Sequence, residues 1–519
     1  MTPTSEPAQP TPAAVDPSPH DLKRRATHGA LVSTVSQFAS LAMRTGSMMI
    51  LARILLPADY GLVGMTTAFT GFLGLFRDAG LATASVQRAS LTPGQASTLF
   101  WVNLAVGLAL GALCAAIAPA LAIFYHEPRL VWITIVLSVS FVFNGAYAQH
   151  RAMLERSMRF VALSMIDVTA LVASVVLAIG IAAAGGKYWA LVAMAIIPPI
   201  WCALGTWFAT RWIPGLPRRD AEIGSMLWFG GTLTLNTVVI YMAYNMEKVL
   251  LGRFWGAETL GTYGRAYQLI NLPSESLNGT ISSVAFPALS RVQNDPKRLR
   301  SYFLKGYGLL LSLILPISMA CALFADDIVT VFLGRNWHAS APVFRLLAPT
   351  IVAVTMMNPL GSLLLATGKV VRNFYLSLLI TPVVMIGYVS GLRQGPEGVA
   401  AGYSIAMILV ITPVIVWAKH GLPISGEDII NTLKPPLASV FVGAATIGLL
   451  FWAGVLNHIS QVFVRLVVES ASFVVVYACM SLFIMKQKDL YLNILRETGL
   501  WPISAWWQRT RRGKSVKAT

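Results

Sequence analysis

Fourteen apolar runs, each about 20 residues or longer, succeed one another along this chain, and no other feature narrows its fold as far. They lie near 29–55, 60–87, 95–123, 130–150, 161–184, 188–210, 224–253, 257–287, 302–325, 341–366, 373–392, 396–418, 435–455 and 459–485. In hydrocarbon every backbone N–H and C=O has to be paired within its own segment, which makes each run an α-helix. The expected fold class is all-α: a polytopic membrane protein of about 14 transmembrane helices. A soluble globule is excluded, because only 12% of the residues are charged, about half the usual share.

The net charge of +17 does not point to nucleic acid. With the N-terminus on the cytoplasmic side, the cytoplasmic connections and tails hold 26 of the 39 Lys and Arg residues. The outer connections hold only Arg53, Arg129, Lys187, Arg253, Arg335 and Arg393. This is the asymmetry of the positive-inside rule, and it puts both termini in the cytoplasm. Residues 1–22, with six prolines and no apolar run, read as a disordered tail. Cys114, Cys202, Cys321 and Cys479 stand apart, each in an apolar run, and the histidines form no metal motif. Gly185-Gly186-Lys187 lacks the first glycine of a P-loop. No metal, no cofactor and no direct use of ATP are therefore expected.

A weak internal repeat organises the runs. Arg53-ILLPADYG and Arg253-FWGAETLG each join two long runs through a short outer hinge bearing an acid (Asp59, Glu258) and a glycine (Gly61, Gly261). The connection AIFYHEPRL corresponds in the same way to TVFLGRNWHASAPVFRLLA. Two related six-helix halves follow, 23–210 and 224–418, joined by a basic loop at 211–223, with two further helices at 419–485. The tail 486–519 mixes Leu, Ile and three Trp with cations and is expected on the inner membrane surface, in contact with lipid. In the first half, Gly61, Gly64, Gly71 and Gly74 strip one helix face of bulk, so a neighbouring helix can approach closely.

Charges within the runs point toward function, because each costs roughly 2.5 to 3.5 kcal/mol or more at bilayer depth unless it meets protein or water. Arg44 lies in the first run, Arg77 and Asp78 in the second, Asn236, Asn245, Glu247 and Lys248 in the seventh, and Arg265 and Glu275 in the eighth. Ionisable groups thus gather in the first two helices of each half. Arg44, Arg77, Lys248, Arg265, Asn236, Asn245 and Tyr241 are the candidates for lining a substrate cavity. Asp78, Glu247 and Glu275 are the candidate carboxylates for proton or sodium coupling, as in an antiporter. For Arg44 and Arg265 the competing reading is a buried ion pair that fixes helix register. Tyr241, Tyr244, Tyr263 and Tyr267 can contact sugar faces or simply pack. Pro273 removes a backbone hydrogen bond and is a candidate hinge, or else a static kink. Arg345, Lys305 and the i, i+4 pair Arg465/Glu469 read as structural.

Four stretches carry a family resemblance: LLPADYGLVGM (55–65), FRDAGLATASVQR (76–88), YNMEKVLLGRFWGAETLGTYGRAYQL (244–269) and VAFPALSRVQNDPKRLR (284–300). With them, residues 25 to 485 resemble the polysaccharide transporter family of Wzx-type oligosaccharide flippases, in its exopolysaccharide and colanic-acid exporter branch. The wider superfamily includes multidrug antiporters and the lipid II flippase. The resemblance implies two six-helix lobes around a central cavity that opens alternately to either side of the bacterial inner membrane, plus two C-terminal helices. It implies a lipid-linked substrate, an undecaprenyl-diphosphate oligosaccharide, and contact with other polysaccharide assembly proteins. Arginine suits such a cargo, because its fork of donors matches phosphate. Two other readings compete: a cation-coupled multidrug antiporter and a membrane enzyme of polysaccharide assembly. The enzyme reading is disfavoured because the longest outer connection, 326–340, is short.

Overall fold

A computed structural model describes residues 19–77, 92–217, 224–453, 461–485 and 487. Within the described helices, the side chains of residues 19–34, 224–236, 274–288 and 370 are left aside. Asp78, Arg88, the proline-rich tail and the tryptophan-containing tail lie outside the described residues. So do the side chains of Asn236 and Glu275.

The described chain is helical throughout, with no strand. It runs α1 (Pro19–Ile54), α2 (Pro57–Arg77), α3 (Pro93–Tyr125), α4 (Leu130–Arg156), α5 (Phe160–Ala183), α6 (Trp189–Thr210) and the long α7 (Gly224–Arg291). Then follow α8 (Pro296–Leu323), the short α9 (Ala325–Phe332), α10 (Ser340–Ala366), α11 (Val370–Gly391), α12 (Gly395–Lys419), α13 (Gly426–Trp452) and α14 (Val462–Cys479). Among the described residues, nine helical stretches are long and apolar enough to cross a membrane, 371–419 counting as one although α11 and α12 divide it. This is a multi-pass membrane protein.

Local chemistry sets the helix starts. Thr92 caps α3 and exchanges hydrogen bonds with Gln95, with Pro93 just inside, while Ser425 and Asp428 do the same for α13. Asp295 caps α8 by accepting from the amides of Lys297 and Arg298. Pro57 opens α2, where Asp59 accepts from the Leu56 amide at 3.1 Å.

The long α7 is broken at Gly256, whose φ of 82° and ψ of −176° suit glycine alone. It divides α7 into arms 224–255 and 257–291. On a straight helix Glu247 and Arg265 would stand about 27 Å apart, yet both line one cavity, so the arms fold back on each other. Pro273, the hinge candidate, keeps helical backbone angles, and the non-helical residue inside α7 is Gly256. Proline's fixed φ is compatible with a helix, whereas the positive φ of Gly256 ends it.

Packing divides the helices into two groups. In the first, α3 lies on α4, α5 on α6, α4 on α6 and α1 on α5. In the second, α7 and α12 lie on α10, α11 on α12, and α8 on α10, with α13 attached through α8 and α14 through α13. Contact between the groups rests chiefly on α2 against α7.

Candidate functional site

The two repeated hinges meet each other. A Cβ on Gly61 would overlap the carbonyl oxygen of Ala257, and a Cβ on Gly261 would overlap that of Pro57. Pro57/Gly61 and Ala257/Gly261 are both i, i+4 pairs, so each helix offers the other a notch free of side chain. The arginine ahead of each hinge then reaches across to the opposite group. Arg53 donates to Val331 O at 3.0 Å, and Trp337 Nε1 returns a bond to Ala52 O at 2.7 Å. Arg253 lies 3.1 Å from His126 Nδ1 and 5.7 Å from the Phe124 ring centre. Beside His126, the Arg129 guanidinium bonds Glu127 at 2.7 Å and holds its carboxyl below the usual glutamate range. The duplicated motifs therefore clasp the groups together at one end.

Directly beneath the clasp, α2, α6 and both arms of α7 enclose a cavity of 410 Å³. Tyr60, Gly64 and Thr67 line it from α2, and Leu191, Met194 and Ala195 from α6. Glu247 and Lys248 come from the first arm of α7, Tyr263, Arg265, Tyr267 and Asn271 from the second. The Arg265 guanidinium lies 3.7 Å from the centre of the Tyr60 ring, and Tyr60 in turn meets Trp337 of the clasp edge-on at 5.3 Å. Lys248 Nζ donates to Asn245 Oδ1 at 2.7 Å. Glu247 is wholly buried, and neither carboxyl oxygen has a hydrogen-bond partner.

Of the residues picked out from sequence, this cavity brings together Lys248, Arg265 and Glu247, with Asn245 behind Lys248. Tyr241 is a strut: its hydroxyl donates to Ala68 O at 2.8 Å and its ring fills the space at Gly71. Arg77 is the last residue of α2 in the described segment, away from these contacts. Arg44 lines a different cavity of 780 Å³ among α1, α4, α5 and α6, with Ser36, Gln37 and Ser40. There Arg151 bonds both oxygens of Asp167 at 2.8 and 3.0 Å and reaches Glu155 at 3.1 Å. A third cavity, 310 Å³ among α7, α10, α11 and α12, is lined by Asn358, Ser362, Asn373, Ser377 and Thr381, all uncharged.

Sequence reasoning missed two parts of this. Arg151 and Glu155 look like loop residues beyond the apolar run 130–150, but α4 continues to Arg156 and carries them inward. Asp167, a carboxylate inside the run 161–184, was the available signal. The i, i+4 ion pair of Arg465 with Glu469 is present at 3.8 Å, and what the spacing does not show is the second partner, Asp327 of α9, bonded through both oxygens.

The model of the family described as "Polysaccharide biosynthesis protein" matches residues 50–342, which takes in the clasp and the cavity below it. The chain belongs to that family. This family member is 25% identical over 398 residues to the Escherichia coli lipopolysaccharide biosynthesis protein WzxC, covering 75% of its own length and 80% of that protein's. To the Bacillus subtilis teichuronic acid biosynthesis protein TuaB it is 28% identical over 324 residues, 59% of its own length and 64% of TuaB's. In fold it is similar to the lipid II flippase MurJ in an inward closed conformation, with a TM-score of 0.71, 14% identity, and coverage of 89% of this chain and all of that one.

Proposed function

We propose that this protein is a flippase that moves an undecaprenyl-diphosphate-linked oligosaccharide repeat unit across the bacterial inner membrane by alternating access. The observation that carries the reading is Arg265 with Lys248. Both are cations in the membrane interior, neither is paired with a carboxylate among the described residues, and both line the cavity where the two helix groups meet. Such cations are expensive unless a ligand or water offsets their desolvation, and a diphosphate is the complement an arginine fork fits. The names of WzxC and TuaB as polysaccharide biosynthesis proteins, and of MurJ as a flippase, support the same cargo class. With both termini cytoplasmic, the clasp lies at the periplasmic end, so the cavity is closed to the outside and the cargo enters from within. Alternation then consists of parting the Gly61–Ala257 and Gly261–Pro57 contacts.

The test is glycan analysis in a strain lacking the gene. Lipid-linked repeat units are expected to accumulate on the inner leaflet, and Arg265→Ala, inserted at normal levels, is expected to leave them there. Full export by that variant overturns the reading. So does a strain with normal glycan and an altered drug resistance.

A further inference from the structure

The cavity beneath the clasp holds one group that anion binding does not explain. Glu247 is 0% exposed, and both carboxyl oxygens lack any hydrogen-bond partner. The two cations that could neutralise it are turned elsewhere, Lys248 to Asn245 and Arg265 to the face of Tyr60. An ionised carboxylate left dry and unpaired costs several kcal/mol, so such a group sheds its charge instead.

Its surroundings offer hydroxyls and two cations, neither of which bonds its carboxyl oxygens. On its own arm stand Tyr241, Tyr244 and Lys248, and on the second arm Tyr263, Arg265 and Tyr267. Tyr60 comes from α2, Tyr388 from α11 and Tyr403 from α12. From α6 come only Leu191, Met194 and Ala195. Tyr125 of α3 meets the arm further on, at Gly252, and α10 carries no ionisable residue beyond Arg345. The hydroxyls of Tyr60, Tyr263 and Tyr388 also lack partners.

We propose that Glu247 is a proton site tied to the anion in the cavity: it holds a proton while Lys248 and Arg265 are engaged elsewhere, and releases it to cavity water when they turn to it. An arriving diphosphate adds negative charge beside the carboxyl and occupies the same two cations. Both effects favour the protonated form. By reciprocity, proton and anion strengthen each other's binding. The cargo then travels with a proton that trims its net charge, which is co-transport, not the exchange expected from sequence. The proton site itself stands on the Glu247 geometry, and only the linkage rests on the flippase reading.

Two measurements on the purified full-length protein in detergent test it. Infrared difference spectroscopy at neutral pH, without ligand, is expected to show the carbonyl stretch of a protonated carboxylic acid that disappears in Glu247→Gln and shifts in Glu247→Asp. A wild-type spectrum without that band, or one in which sodium removes it, overturns the proton site. Calorimetry with farnesyl diphosphate, at a pH above that at which the ligand-free infrared band is lost and in buffers of differing ionisation enthalpy, is expected to show up to one proton taken up per diphosphate bound. Affinity then falls up to tenfold for each pH unit gained. In Glu247→Gln, binding is expected to persist without uptake. Binding of the diphosphate by wild type without proton uptake, or with release, overturns the linkage and leaves the flippase reading intact. No binding at any pH overturns the linkage and the cargo reading together, while the infrared band answers independently for the proton site.

Discussion

The two charged cavities differ in how their cations are answered, although Arg44, which also lines the larger one, has no carboxylate partner among the described residues. In the cavity of α1, α4, α5 and α6, Arg151 is forked onto Asp167 and touches Glu155, so its charge is answered within the protein. In the cavity beneath the clasp, Lys248 and Arg265 meet an amide and an aromatic ring, and the Glu247 carboxyl oxygens have no hydrogen-bond partner. An arginine inside a membrane helix is therefore available to a ligand only where the fold leaves it unanswered. A paired one holds helices in register. Of the arginines weighed from sequence, Arg265 has no carboxylate partner among the described residues, whereas Arg151, read there as a loop residue, is the one that is paired.

The largest expected effect is on cargo. Arg265→Ala removes charged hydrogen bonds worth about 1.5–3 kcal/mol, so diphosphate affinity should fall by about 10- to 150-fold with little change in thermal stability. Arg265→Lys should recover only part, because it keeps the charge and loses the fork. Equal losses of stability and of binding would place Arg265 in the same class as Arg151.

Next comes the clasp. Gly61→Leu puts a side chain where the Ala257 carbonyl already lies, an overpacking expected to cost about 1–3 kcal/mol in the clasped state. A cysteine placed at Gly264, which has open space before it, should become reactive to a membrane-impermeant thiol reagent from the clasp side only in that background. Unchanged labelling would mean that the clasp does not move.

The paired cavity should respond in stability alone. Arg151→Ala and Asp167→Ala are each expected to cost about 1–2 kcal/mol, between an exposed and a buried pair because both side chains are partly exposed. The double variant should regain part of that loss, as it leaves only the partly exposed Glu155 without its partner. Loss of diphosphate binding in either single variant would break the contrast between the cavities.

The smallest effect is at the rim, where Arg129 holds the Glu127 carboxyl below its usual range. A lowered carboxyl contributes its stabilisation in full above the unfolded value, about 4.3, and loses it as pH falls through the lowered value. Glu127→Gln should lower stability near neutrality by no more than about 0.5 kcal/mol, since the pair is partly exposed, and should remove that pair's share of the acid dependence. A larger loss at neutral pH would show that the pair is buried in the working protein.

Much of this was legible in the chain. Hydropathy is a property of consecutive residues, so the helices fall where the apolar runs do. The two hinge motifs can be recognised as copies because each carries its own proline or glycine, acid and glycine. That Gly61 would admit a neighbour follows from its missing side chain. Which neighbour it admits does not, and the answer, the other copy of the hinge, came from the packing. Tyr241 and Pro273 illustrate the limit: that the tyrosine hydroxyl bonds Ala68 O and that the backbone at the proline stays helical could not be read from the residues alone.

Composition and periodicity by themselves determined an all-helical membrane protein, its duplicated hinges, and the gathering of ionisable residues on four particular helices. Only tertiary structure decided that Glu247, Lys248, Arg265 and Tyr60 share one cavity while Arg44 belongs to another. The physical reason is that helix formation in hydrocarbon is settled within each segment, whereas whether a charge is answered depends on which distant side chain the packing brings against it. Here that choice turned on one backbone conformation at Gly256, which folds the two arms of α7 together.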